Sequence, residues 1–285
     1  MSTVATVATP AVPAPGAAGR ALKVTQGRVL LSEFTKFRSL RSTLYTLLTA
    51  LVLMIGLGAL FSAVNASQFH TLSAADQASF NPVATSLQGT VFAVVAFGVL
   101  GVLVISGEYS TGMIRSSLTV VPRRLPILWG KLVVFAGSIF SVSLVASFIS
   151  FFLGQALLDS HHLGVSITAP GALRSVIGAA LYVTVAGLIG VALGALFRNT
   201  AAGISTFVGA FFVIPPLASL LPSSVASHLT PYLPSNAGGA LWSAASNVRR
   251  VSISTLSPWT GFAFLSGYAL VLIAAAAWRM RRSDA

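Results

Sequence analysis

The chain has 285 residues, of which 55% are hydrophobic and 8% are charged, with 17 Lys and Arg against five Asp and Glu. Soluble domains carry about 25% charged residues, so the composition excludes an ordinary soluble globule, and the high hydrophobicity excludes a disordered chain. Cysteine is absent, which excludes disulfides, thiolate metal sites and cysteine nucleophiles. We therefore expect a chain that is surrounded mostly by lipid.

Residues 1–20 are rich in Ala, Pro and Thr. Pro10, Pro13 and Pro15 interrupt any apolar core, and no basic residue precedes Arg20. A secretory signal peptide needs a positive start and an unbroken apolar stretch, so this segment does not match one. We predict a disordered tail.

The next segment, residues 21–43, has the pattern of a basic amphipathic helix that lies in the membrane interface. Apolar residues recur at helical spacing at Leu30, Phe34, Phe37 and Leu44. The alternative is an unstructured basic segment that only sets the topology.

Six apolar runs follow, each long enough to cross about 30 Å of hydrocarbon. They lie at about 44–64, 86–106, 130–153, 176–197, 201–221 and 259–278. Barrel strands have about ten alternating residues, so these longer runs predict helices. The predicted fold is an all-α integral membrane protein with a transmembrane domain over 44–278. Pro215 and Pro216 should kink or stop the fifth helix.

Basic residues are distributed unevenly between the two predicted sides of the membrane. Six spans place both termini on one side, together with 14 of the 17 basic residues: Arg20, Lys23, Arg28, Lys36, Arg38, Arg41, Arg115, Arg123, Arg124, Lys131, Arg198, Arg279, Arg281 and Arg282. Cytoplasmic loops carry the excess of Lys and Arg. We therefore predict a multi-pass plasma-membrane protein with both termini, including a basic tail at 279–285, in the cytoplasm.

The second notable cytoplasmic segment, residues 107–124, joins the second and third spans. Ile114, Leu118 and Val121 fall on one face of a short predicted helix. Glu108 lies where the most apolar span ends, at a position where an unpaired carboxylate would be costly. The apolar face either packs on the same chain or docks a cytoplasmic partner, and spacing alone leaves both possibilities open.

No catalytic or metal-binding motif is visible. The Gly-Lys pair at 130–131 lacks the Ser or Thr that completes a phosphate-binding P-loop. The adjacent histidines at 161–162 lack further ligands at helical spacing. Small residues at 190–194 permit close helix packing, either within the chain or in a dimer. The external stretch at 222–258 is rich in Pro, Ser and Asn, and its apolar residues, such as Leu229, Leu241 and Trp242, predict short interfacial helices that cap the exit path. The alternative is a plain structural loop.

Three segments resemble, in order and spacing, the membrane subunits of type-two ATP-binding cassette (ABC) exporters of the actinobacterial kind. They are SEFTKFRSLRST at 32–43, GEYSTGMIRSSLTVVPRR at 107–124 and YLPSNAGGALW at 232–242. The resemblance extends from about residue 22 to the C-terminus. It implies a connecting helix on the membrane, a coupling helix that enters a cleft on an ABC ATPase subunit, and external helices between the last two spans.

On this resemblance, ATP hydrolysis acts on the coupling element, which comprises Glu108, Tyr109, Thr111, Gly112, Met113, Ile114, Arg115 and Leu118. The interfacial helix contributes Glu33, Phe34, Lys36, Phe37, Arg38 and Arg41. The expected partners are an ABC ATPase subunit, a second permease protomer in a homo- or heterodimer, and the lipid bilayer, with no nucleic acid. The chain should hold no cofactor, with ATP and Mg bound only by the ATPase.

Three alternatives belong to other functional classes. An ion-gradient-driven transporter or channel usually has ionisable groups in mid-membrane, and the predicted spans have none. A membrane enzyme would need a polar catalytic cluster. A non-transporting scaffold or regulatory subunit stays open, and this sequence does not identify a substrate or a transport direction.

Overall fold

The computed structural model describes residues 26–39, 41–110, 124–243 and 256–282, and the regular secondary structure in these ranges is helical. Six helices there are long and apolar enough to cross a membrane, which confirms the predicted all-α membrane fold. We call them spans 1 to 6: Arg41–Gln68, Thr90–Ser110, Arg124–Asp159, Ala172–Phe197, Thr200–Ala218 and Pro258–Arg282.

Shorter helices flank and connect the spans. The N-terminal helix is Gln26–Ser39, within the segment predicted to be an interfacial helix. Spans 1 and 2 are joined through Phe69–Thr71, Ala74–Ala78 and Pro82–Ser86, and spans 5 and 6 through Ser223–Leu229, Thr230–Tyr232 and Pro234–Ser243.

Span 4 is the central helix of the bundle. In its most apolar window 78% of the residues are buried, against 22% in spans 1 and 5. Glycines bring its backbone directly against span 2: a methyl group at Gly190 would lie 2.2 Å from the carbonyl oxygen of Gly98, and one at Gly101 would lie 2.3 Å from that of Gly187. The small-residue pattern at 190–194 therefore serves packing within the chain.

Span 3 is longer than the sequence pattern predicted, since it begins at Arg124 and ends at Asp159. At 1.5 Å per residue its 36 residues extend about 54 Å, well beyond the hydrocarbon core. The predicted start near residue 130 left Lys131 at the boundary between loop and span, and the structure places Lys131 well inside the helix. Its backbone is hydrogen-bonded there, and its side chain points into the protein.

Span 5 changes its helical form at the double proline. Pro215 and Pro216 have no backbone N–H, so the carbonyls of Phe211 and Phe212 lose their usual donors. The preceding turn, Gly209–Val213, is a π-helix in which the N–H of Ile214 donates to the carbonyl of Gly209. The prolines thus distort the helix without ending it, as a π-turn permits.

At the other end of the bundle, the helix Pro234–Ser243 packs among the spans. Leu241 contacts the backbone of span 4 at Gly178, and a methyl group at Gly261 in span 6 would lie 2.3 Å from the carbonyl oxygen of Ala237. Trp242 is also buried. The sequence pattern predicted helices in this stretch, and the structure shows that the last of them completes the core.

We predict that Gly190→Val lowers the thermal unfolding midpoint of the detergent-purified chain sharply. The added side chain would meet the backbone of span 2, which has no flexible group to move aside, and overpacking costs about 1–3 kcal/mol or more. Gly56→Val is the matched control, since a methyl group at Gly56 in span 1 meets nothing within 4 Å. Equal melting of the two variants would contradict the close packing of spans 2 and 4.

Candidate functional site

Five parts of the chain meet at one end of the bundle, which we call the basic end. They are the N-terminal helix, the end of span 2, the start of span 3, the turn between spans 4 and 5, and the end of span 6. Lys131 links the first three through ion pairs. The guanidinium of Arg198 lies 5.1 Å from the centre of the Tyr109 ring, and Arg279 donates to the carbonyl of Leu196.

The N-terminal helix runs beside span 3 in the same direction. Near its start the Gln26 amide donates to the carbonyl oxygen of Pro126 at 3.3 Å. Near its end the ring of Phe37 meets that of Phe135 edge-on, with centroids 6.1 Å apart. Because Glu33 and Phe37 are four residues apart, they share a helical face, and that face is the one turned toward span 3.

The centre of the basic end is a network of four charged side chains. The ammonium of Lys131 donates to Glu33 Oε2 at 2.8 Å and to Glu108 Oε1 at 2.9 Å. Lys36 donates to Glu33 Oε1 at 2.9 Å and lies 3.8 Å from Glu108 Oε1. Two positive and two negative charges balance, which is the condition under which charges tolerate burial.

Burial differs within this network. The side chain of Lys131 is 6% exposed, and Glu33 and Glu108 are similarly enclosed, whereas Lys36 is 34% exposed at the edge. The buried Lys131 therefore depends on its two carboxylates far more than Lys36 does on its partners. The second carboxylate oxygen of Glu108 is buried and has no hydrogen-bond partner among the residues that the structure describes.

The two ionisable groups on the N-terminal helix have shifted pKa values. Burial by itself would raise the pKa of Glu33, but the charges and hydrogen bonds of Lys131 and Lys36 outweigh it and hold that pKa below its ordinary value. Burial would lower the pKa of Lys36, but Glu33 and Glu108 outweigh it and raise that pKa. Both groups are therefore charged at neutral pH.

A tight turn between spans 4 and 5 adjoins the network through Tyr109. Arg198 adopts a left-handed backbone conformation with φ of 54°, and its N–H donates to the carbonyl of Gly194, which ends span 4. Asn199 then caps span 5 by accepting from the N–H of Ala202 at 3.0 Å. The side chain of Arg198 is thereby held over the end of span 2.

The structure brings some of the predicted residues together. Glu108 and Tyr109 form the end of span 2, and Glu33, Lys36 and Phe37 face span 3 or its charges. Phe34, Arg38 and Arg41 are exposed and lie outside the network. The remaining predicted coupling residues lie outside the described part of the chain: Thr111, Gly112, Met113, Ile114, Arg115 and Leu118.

Lys131 and Arg198 were not among the predicted site residues. The sequence did hold a signal for Lys131, because the predicted third span began at residue 130 and so included a lysine within an apolar helix. Such a lysine requires a carboxylate partner, and the chain has only five acids. Arg198 gave no comparable signal, since a lone arginine in a short turn is ordinarily solvated. Across the described ranges, no three His, Asp or Glu side chains are placed to hold a metal ion.

The chain matches the family model described as ABC-2 family transporter protein over residues 29–216, about two thirds of its length. The match begins in the N-terminal helix, ends in span 5 and includes all four residues of the charged network. Neither the curated proteins nor the solved structures gave a match.

We predict that Lys131→Met destabilises the chain by about 3–5 kcal/mol, because it leaves two buried carboxylates without their main partner. Adding Glu33→Gln to this variant should recover part of the loss, a non-additivity that a double-mutant cycle measures. Lys36→Met is the control at the exposed edge of the network and should cost much less. Denaturant unfolding in detergent tests this, and equal losses for the two lysine variants would contradict the central role of Lys131.

A second prediction concerns pH. Glu33 has a lowered pKa, so its contribution to stability is present above its unfolded-state pKa and disappears as pH falls through its folded-state pKa. The difference in unfolding free energy between the natural chain and Glu33→Gln should be constant from about pH 6 to 9 and should shrink below about pH 4. A difference that persists unchanged in acid would show that Glu33 acts without its charge.

Proposed function

We propose that this chain works as one protomer of a dimeric exporter. It belongs to the ABC-2 transporter family and is therefore a multi-pass permease component of an ABC transporter. Membership of this family implies partnership with an ABC ATPase and a transport role rather than a catalytic one. Beyond family membership we propose four features: export as the transport direction, a dimer, an orientation in the membrane, and a route by which the ATPase moves the permease.

The basic end faces the cytoplasm in this proposal, and both termini lie there, in the plasma membrane. Among the described side chains, that end carries Lys36, Arg38, Lys131, Arg198 and Arg279. The opposite end has only Arg174 in the same ranges. This asymmetry follows the rule that cytoplasmic segments carry the excess of Lys and Arg.

The observation that carries the coupling proposal is the bridge from Lys131 to both Glu33 and Glu108. Glu108 lies in the last turn of span 2, two residues before its end at Ser110, so a force on the link to span 3 reaches Glu108 within one helical turn. Separating Glu108 from Lys131 would leave buried charges unpaired, which is costly. The end of span 2, the start of span 3 and the N-terminal helix should therefore move as one unit.

The surface that receives this force is the coupling element from Glu108 and Tyr109 to Leu118. We assign contact with the ATPase to Thr111, Gly112, Met113, Ile114, Arg115 and Leu118. The support is the resemblance, which implies a coupling helix in an ATPase cleft, and the apolar face that Ile114 and Leu118 give this segment. ATP and Mg would be bound by the ATPase, and this chain would carry the motion. Phe34 and Arg38 are exposed on the N-terminal helix, and Arg41 is exposed at the start of span 1. We place the N-terminal helix, which runs beside the beginning of span 3, at the membrane surface.

The dimer is proposed from the distribution of burial. Span 4 is enclosed by its own chain, whereas spans 1 and 5 leave most of their apolar surface outside the protomer. Part of that surface would face lipid and part a second permease protomer, with the substrate path between the two. A homodimer and a heterodimer both satisfy this arrangement.

Co-purification with a candidate ABC ATPase tests the coupling proposal. The natural chain should elute with the ATPase in a fixed ratio and support ATP turnover, because the apolar face of the coupling element is buried in the partner. Replacing Ile114 and Leu118 with Asp should abolish co-elution while the permease remains monodisperse. The matched control replaces two exposed leucines at the opposite end, Leu220 and Leu229, with Asp. Normal complex formation and turnover in the Ile114 and Leu118 variant would contradict the proposal.

A further inference from the structure

A groove of about 590 Å³ lies between the N-terminal helix, the beginning of span 1 and span 3, close to the charged network. Its walls are mainly apolar, with Phe34, Leu44 and Val133 each from a different helix. These three side chains are also partly open to the outside of the bundle. The groove is therefore a lateral cleft that opens on the surface expected to face lipid.

The length of the groove matches one leaflet of a bilayer. Along span 3 its lining runs from residue 133 to residue 142. At 1.5 Å per residue this is about 14 Å, close to half of the 30 Å hydrocarbon core. Gly137 lies within this run, and a methyl group added to it would meet nothing within 4 Å. A narrow apolar chain could therefore lie directly along the backbone of span 3.

The lining of the groove also includes polar side chains. The hydroxyl of Ser141 donates to the carbonyl of Gly137 at 2.8 Å and is already satisfied. Arg38 lines the groove, is exposed, and directly follows Phe37, whose ring meets that of Phe135 in span 3. No carboxylate in the described part of the chain pairs with Arg38, because the nearby Glu33 bonds to Lys131 and Lys36.

We propose that the groove binds an anionic glycerophospholipid from the leaflet at the basic end, with an acyl chain along Gly137 and the headgroup phosphate on Arg38. The apolar walls suit the chain, and the exposed arginine in the lining, which no carboxylate of the described part of the chain pairs with, suits a negative headgroup. Arg41, exposed at the start of span 1, adds a second positive charge on the same side. This inference depends on membrane embedding and is independent of ATPase coupling.

Such a lipid would fill the space between the N-terminal helix and span 1, next to the residues that hold the helix on span 3. It would thereby stabilise the position of the N-terminal helix. The groove could instead be occupied by a second permease copy or by residues 1–25 of the same chain. The positive charge of Arg38 in the lining argues against them, since residues 1–25 contain Arg20 and Lys23 but no acid, and the basic end of a second copy is also positive.

The test uses the full chain, purified in detergent without any ATPase and examined by native mass spectrometry after addition of dioleoyl phosphatidylglycerol or dioleoyl phosphatidylcholine. We expect one phosphatidylglycerol to be retained in preference to phosphatidylcholine. Arg38→Gln should reduce that preference about fivefold, the effect of one basic residue on an anionic lipid. Arg281→Gln removes an equal charge from the end of span 6 and should leave the preference unchanged.

A second pair of variants tests the acyl-chain position. Gly137→Leu should fill the groove and reduce retention of phosphatidylglycerol without lowering the thermal midpoint, because the added side chain enters open space. Gly56→Leu adds the same group to an open, lipid-facing position on span 1 and should leave retention unchanged. Should Gly137→Leu fail to fold, Val133→Phe takes its place in the test. Val133 lines the groove and is exposed, so the larger side chain narrows the groove without entering the core.

Several results would overturn the proposal. Retention of phosphatidylglycerol at the natural level in both Arg38→Gln and the groove-filling variant would show that lipid binds elsewhere. Equal retention of the two lipids by the natural chain would remove the role of Arg38. Increased lipid retention after deletion of residues 1–25 would assign the groove to that segment, and loss of dimer without loss of lipid in Gly137→Leu would assign it to a second copy.

Discussion

A buried ammonium group must be matched by carboxylates, and this constraint shapes the basic end of the bundle. Lys131 lies inside span 3 with almost no exposure, and it draws Glu33 from one helix and Glu108 from another to within hydrogen-bond distance. Two of the five acids in the chain are used in this way. In a protein with so few charges, the position of the N-terminal helix is fixed chiefly by this pairing and by Phe37 against Phe135.

The charged network is attached to the two most buried spans of the bundle, spans 2 and 4. Span 2, which carries Glu108 in its last turn, is in direct backbone contact with span 4 through glycines on both helices. Backbone groups in contact have no rotamers with which to absorb a displacement, so a movement of one helix is passed to the other. A push on the link after span 2 would then reach the core through Glu108 and span 4, and the N-terminal helix through Lys131 and Glu33.

Much of the architecture could be predicted because lipid imposes simple rules on sequence. Long apolar runs gave all six spans, and the double proline indicated the irregular fifth helix. The beginning of span 3 could not be located from the sequence, because the run from Arg124 to Lys131 mixes basic, apolar and proline residues that suit a loop equally well. Glu33 was named from the family resemblance, and Glu108 also from its position where an apolar span ends. Their common partner depends on helix packing, which the periodicity of one segment does not contain.

The central claim is that the basic end faces the cytoplasm and receives an ABC ATPase. The natural chain has no cysteine, so a single reporter can be introduced without background. The direct measurement is labelling of Ile114→Cys by a membrane-impermeant maleimide, in intact cells and in inverted membrane vesicles, with and without a candidate ATPase. The account predicts labelling only in inverted vesicles, and protection when the ATPase is bound. Labelling in intact cells, or labelling that the bound ATPase leaves unchanged, would contradict it.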